Sequence, residues 1–168
     1  MHRTKEIIWR QFGASIDMLE AAVRACPDRL WYDQSHKPEY WYLVFHTLFW
    51  LDAYLSPSPD GFQPPAPFGL EEMDPAGLFP PRPYSKEELL QYLAHGREKC
   101  RTTIATLSDG EAQARYILGT LDISRGELLV YTMRHVQHHV AQLHLLLRRE
   151  TDGAPGWIRA TARPLQGT

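Results

Sequence analysis

The sequence predicts an all-α protein, a four-helix bundle with a long proline-rich crossover between its second and third helices. Three observations carry this expectation. Four segments repeat apolar residues at three- and four-residue steps, the period of a helix with one buried face. No segment alternates convincingly as a strand. Nine of the thirteen prolines fall between Ser56 and Tyr84, where a fixed φ and a missing N–H exclude a helix or an interior strand.

The first helix is expected from about Lys5 to Cys26, with Ile7, Ile8, Phe12, Ile16, Leu19, Ala22 and Val23 on one face and Pro27 as its stop. The second opens near Pro38, since a first helical turn leaves its N–H groups unpaired anyway, and runs to about Leu55. The connection 56–84 carries Phe62, Phe68, Leu70, Met73, Leu78 and Phe79, which a disordered tether has little use for. It is therefore expected to be an ordered strap over the bundle, and loops of this length often serve function. Ser85-Lys86-Glu87-Glu88 is a capping box that starts the third helix, and Ser108-Asp109-Gly110 ends it after Leu107. Tyr116 to Leu121 is a short extended piece or a turn. Ser124-Arg125-Gly126-Glu127 opens the fourth helix, which runs to roughly Glu150. Asp152-Gly153-Ala154-Pro155-Gly156 closes it, and Trp157 and Ile158 suggest a tail that docks back.

At 168 residues, with 43% apolar and 23% charged side chains, one domain over 1–168 is expected. A net charge of -2 leaves no electrostatic footprint for nucleic acid or an anionic membrane. Cys26 and Cys100 stand in no metal or redox spacing and are expected as reduced thiols on helices. The first residues have no apolar signal core, and the apolar run Trp41 to Leu51 is far short of the ~20 residues a membrane span needs. A cytoplasmic location is the expectation.

Chemistry concentrates in the histidines. His135, His138, His139 and His144 all lie on the last helix. Residues three and four apart share a helical face, so His135 can share a metal with His138 or His139. At ~100° per residue, with His135 as zero, Leu128, Thr132, Leu143 and Val136 place the apolar stripe near 40°. His139 then falls at about 40°, His138 at about -60° and His144 on the opposite side, as a surface residue. Two imidazoles one turn apart on a buried stripe need polar partners, and packing alone does not provide them. His46 stands on the second helix with Tyr42, Leu43, Phe49, Trp50 and Ala53 on its face. Alone it suits a hydrogen-bonded core histidine better than a ligand. With the pair it completes a set suited to Zn²⁺, Ni²⁺ or Fe²⁺, whose open position water would fill.

At these residues the chain resembles the DinB/YfiT-like family of four-helix metal-binding proteins. That family's pattern has one histidine midway along the second helix and a His-x-x-x-His-x-Gly-Gln run on the last. Here the run is His135-Val136-Gln137-His138-His139-Val140-Ala141-Gln142, with Ala141 where glycine is usual. The resemblance implies His46, His135 and His139 as metal ligands, His138 as a neighbour, and Gln142 as a second-shell or packing residue. It also implies a metal-dependent enzyme of the thiol (S-)transferase type, with a divalent metal and a low-molecular-weight thiol. The metal would lower the pKa of a thiol or water, and the strap would shape a pocket for a small-molecule substrate. Glu39 and Tyr42 share the face of His46 and are candidates to orient it, although a helix-terminal Glu and a core Tyr account for both. Two alternatives stand. One is a non-catalytic, metal-stabilised binding or stress-response module. The other is a metal-dependent hydrolase, which lacks a Glu beside the histidines in sequence. Members of the family often dimerise, and Trp9 and Trp157 offer apolar surface for an interface or for packing.

Overall fold

Why the second long helix occupies the middle of the molecule follows from its composition: Trp41 to Tyr54 is apolar nearly all round, and such a helix must be covered on most sides. A computed structural model describes residues 2–165; Met1 and 166–168, which the expected domain includes, lie outside them. Four long helices carry the fold: α1 (His2–Ala25), α3 (Tyr40–Tyr54), α4 (Lys86–Thr106) and α6 (Arg125–Glu150). Two short ones, α2 (Asp28–Trp31) and α5 (Asp109–Gln113), stand in the connections. Helix α1 packs on α4 and α6, and so does α3, which puts α1 and α3 on opposite corners of a four-helix bundle. The all-α expectation holds.

The helix boundaries follow local chemistry. Ser85 and Glu88 exchange the two hydrogen bonds of a capping box at the start of α4. At α6 the Ser124 hydroxyl accepts from the Glu127 N–H. Ser108 and Glu111 form a further capping box and open α5, so the Ser108-Asp109-Gly110 stop is also a start. Helix α3 begins two residues after Pro38, with Glu39 as its N-cap residue.

One small sheet corrects the expectation of no strand. Strand β1 (Arg115–Leu118) pairs antiparallel with β2 (Leu121–Ser124), and Gly119 turns between them at a φ of 58°. Four-residue strands are too short for alternation to stand out.

The strap 56–84 is ordered by its aromatics. Phe68 is buried against Tyr92, Phe45 and Tyr84, and Phe62 against Phe49. Leu78 and Phe79 lie exposed, although Phe79 stacks on Tyr42 with centroids 4.5 Å apart. Within the strap, Glu71–Met73 form one 3-10 turn. The tail also docks, with Ile158 packed against the core as expected but Trp157 left outside. Trp157 is 69% exposed, while Leu165 is buried and Thr161 donates its N–H to Arg10 O across α1. Gly13 admits this contact, because a Cβ there would meet Thr161 Cγ2 at 2.5 Å. Trp9 is buried and donates Nε1–H to Arg163 O at 2.7 Å, so it is a packing residue. Cys26 and Cys100 are both free and buried. No helix is long and apolar enough to cross a membrane among the described residues.

Candidate metal centre

Helix α3 exposes one edge only, a row at four-residue steps: Tyr42, His46, Trp50 and Tyr54, each half-buried. That edge faces α6, where His135 and His139 sit one turn apart. The three imidazoles meet with ring centroids 4.8 Å (His46 to His139), 5.3 Å (His46 to His135) and 4.5 Å (His135 to His139) apart. One ligand atom from each can be chosen so that all lie within 4.8 Å of one another. His138 is exposed and outside the group, as the resemblance implied.

The partners of two of the rings fix their tautomers. His46 Nδ1 lies 2.7 Å from Glu72 Oε2, and a carboxylate only accepts, so the proton sits on Nδ1 and the Nε2 lone pair is free. His139 Nδ1 donates to Gln142 Oε1 at 2.7 Å, with the same consequence. Its Nε2 lies 3.1 Å from His135 Nε2. Two imidazoles on one ion, with metal–nitrogen bonds of about 2.1 Å, put their nitrogens roughly 3.0–3.4 Å apart, so this pair is already spaced for a shared ion. His135 Nδ1 is buried with no hydrogen-bond partner, while its Nε2 is turned to His139. The residues therefore fit a divalent ion: three nitrogens converge, two of them on rings whose Nδ1 hydrogen bonds leave the Nε2 lone pair free.

Electrostatics agree with that role. Burial, then the neighbouring imidazoles, push His135 down to about 3. Burial and the His46 and His138 rings push His139 down to about 4, against the Gln142 hydrogen bond. Both rings are therefore neutral at pH 7, the form that ligates metal. Burial works to raise Glu72, but hydrogen bonds from His46, Tyr42 and Trp50 outweigh it and hold the carboxyl below its ordinary range. Tyr42 responds in the opposite sense: burial and the Glu72 carboxylate raise its phenol.

Three sequence expectations change. The buried arc of α6 comprises Leu128, Leu129, Thr132, Val136, Val140, Leu143, His144 and Leu147, so it centres near 100° from His135 instead of 40°. His135 and His139 thus lie on its flank and are half-buried. His144 is buried instead of superficial, on the arc that α1 covers, and its ring N–H donates to the backbone carbonyl of Met18. Glu39 does not reach His46; its carboxylate accepts from Trp41 Nε1 at 2.6 Å and Lys37 Nζ at 3.0 Å. The carboxylate that does reach is Glu72, which sequence reasoning missed. Trp50 Nε1 also donates to its Oε2, at 2.9 Å. The available signal was the adjacent acids Glu71 and Glu72 amid prolines and aromatics.

Beside His46 and His139 opens a cleft of about 560 Å³, walled by Pro38, Tyr42, Leu43 and Leu146. A cleft of about 630 Å³ lies elsewhere, near Leu55, Lys99 and Arg125, and none of the three histidines lines it. The metal-ligating cluster, not cavity size, marks the first as the site. No curated protein and no solved structure matches the chain. The family model described as the DinB superfamily does, over residues 11–143, a span that includes all three histidines and Gln142. The chain belongs to the DinB superfamily.

Proposed function

We propose that the protein is a metal-dependent S-transferase, joining a low-molecular-weight thiol to a small apolar electrophile. The observation that carries this is a three-histidine group beside an apolar cleft, with no fourth His, Cys, Asp or Glu in the group among the described residues. Structural zinc sites are closed by four protein ligands, whereas catalytic ones keep a position open. A divalent ion held by His46, His135 and His139 supplies a Lewis acid that lowers the pKa of a thiol or water at neutral pH.

The chain's own residues do the rest. Glu72 and Gln142 orient His46 and His139 and hold their protons on Nδ1. Pro38, Tyr42, Leu43 and Leu146 seat the electrophile and exclude water. Sulfur forms the new S–C bond, the thiol proton passes to solvent, and the leaving group departs with its bonding pair. With an activated alkene the proton ends on carbon instead. The chain's own thiols are no candidates for the nucleophile, since burial pushes Cys26 up to about 12 and raises Cys100 as well.

Hydrolysis is the second reading, favoured by one observation. Glu72 Oε1 is buried without a hydrogen-bond partner in a residue that lines the cleft, so a carboxylate stands near the histidines after all. Conjugation of a chromogenic electrophile with a panel of thiols, with and without added Zn²⁺, Ni²⁺ or Fe²⁺, separates the two. Metal- and thiol-dependent acceleration supports transfer. Metal-dependent loss of electrophile without any thiol supports hydrolysis, and no acceleration by any metal contradicts both.

A further inference from the structure

The three histidines open onto two unlike surfaces. His46 and His139 face the apolar cleft. Nearer the start of α6, His135 helps wall a groove of about 460 Å³ with Tyr131, Arg134, Gln137 and His138. A guanidinium, an amide, two imidazoles and a phenol line it, with no carboxylate and no aliphatic side chain. Tyr131, Arg134, His135 and His138 follow three- and four-residue steps, so they form one continuous strip of α6. Tyr54 of α3 braces the strip, with its ring edge-on to Tyr131 at 5.4 Å and to His135 at 6.1 Å. Arg134 is exposed, and among the described residues no carboxylate pairs with it.

An unpaired guanidinium offers a planar fork of donors that matches a carboxylate. Other arginines in the chain already spend that fork inside the fold: Arg24 on Glu20, Arg82 on Glu88, Arg97 on Asp17 and Glu20, Arg115 on Asp122. Arg134 instead stands beside the metal-ligating group in a donor-rich groove. We propose that this groove is the thiol subsite, and that Arg134 binds the carboxylate of an acidic low-molecular-weight thiol whose sulfur reaches the histidines from the His135 end of the group. This rests on the thiol-transfer reading and adds to it the charge of the cosubstrate, its anchoring residue and its side of approach. Two substrates entering from two sides need not compete for one cleft.

The test uses metal-loaded full-length protein and S-methylglutathione, which carries the carboxylates but no reactive sulfur. Calorimetry is expected to show binding to wild type, at least tenfold weaker binding to Arg134→Gln and partial recovery in Arg134→Lys. That factor is the usual worth of a hydrogen bond to a charged group, 1.5–3 kcal/mol, or roughly 10–100-fold. In turnover, the KM for glutathione in Arg134→Gln is expected to rise about tenfold relative to that for the uncharged 2-mercaptoethanol. No binding to wild type, or equal binding to wild type and Arg134→Gln, overturns the subsite. Arg134-dependent binding with no conjugation of any electrophile keeps the subsite and overturns the transferase reading instead. Because Arg134 is exposed and unpaired, the variant is expected to fold, which its helical circular dichroism checks.

Discussion

Tyr42, His46, Trp50 and Tyr54 show how much one helix edge can carry. Their four-residue spacing is visible in the sequence, and so is the pairing of His135 with His139. What no sequence spacing could give is Glu72, which comes from the strap 26 residues beyond its partner. Its carboxylate fixes both the tautomer and the angle of His46, so Glu72→Gln is expected to weaken metal binding by about 10–100-fold, as second-shell losses do. Competition of the protein with a chelating dye measures this, and unchanged affinity would show that Glu72 merely packs. The same residues set a pH dependence. His135 and His139 have folded pKa values of about 3 and about 4, below the ~6.5 of an unfolded histidine. Between these limits the unfolded chain binds more protons than the folded one, so their contribution is intact above pH 6.5 and is lost as pH falls through about 4 to 3. Metal-free protein should therefore lose urea resistance from pH 7 to pH 4. The double variant His135→Gln, His139→Gln should lose less, and equal losses would mean that other groups dominate. His144 was misplaced for a geometric reason: α6 touches both α1 and α3, which widens its buried arc beyond a single stripe.

At the scale of elements, the strap is the part whose sequence was half legible. Proline density excluded regular structure and the aromatics implied packing, but nothing in the sequence indicated which aromatics would be buried. Phe68 is, within 4.3 Å of the Tyr92 centroid, while Phe79 covers Tyr42 from outside. Phe68 lies four residues before Glu72, so it anchors the segment that holds His46. Phe68→Ala is expected to cost about 3 kcal/mol, the usual loss for a buried phenylalanine, and to weaken metal binding with it. Denaturant titration and dye competition on one variant report both. A stability loss with metal affinity intact would show that strap and site are independent. The β hairpin was partly legible, as an extended piece or turn from Tyr116 to Leu121, and α5 escaped the sequence reading, because each is a few residues long, while the capping serines that bound them were visible.

For the whole molecule, the bundle brings together histidines that lie 89 residues apart in the chain, on helices whose mutual contact no local pattern specifies. The four long helices, the long crossover and the three histidines that converge were legible, the last with the help of the family pattern. The order of the helices around the core, the flanking position of the site and its two-sided opening were not, because they arise from packing between segments. The central claim is that this packing builds one metal site. Elemental analysis of protein purified without an affinity tag or added metal, beside His46→Ala and His139→Ala, tests it most directly. The account predicts about one divalent ion per chain in the wild type, lost in both variants. Wild-type protein that holds no metal even after loading with Zn²⁺, Ni²⁺ and Fe²⁺ would contradict it and leave the three histidines as a polar seam between α3 and α6.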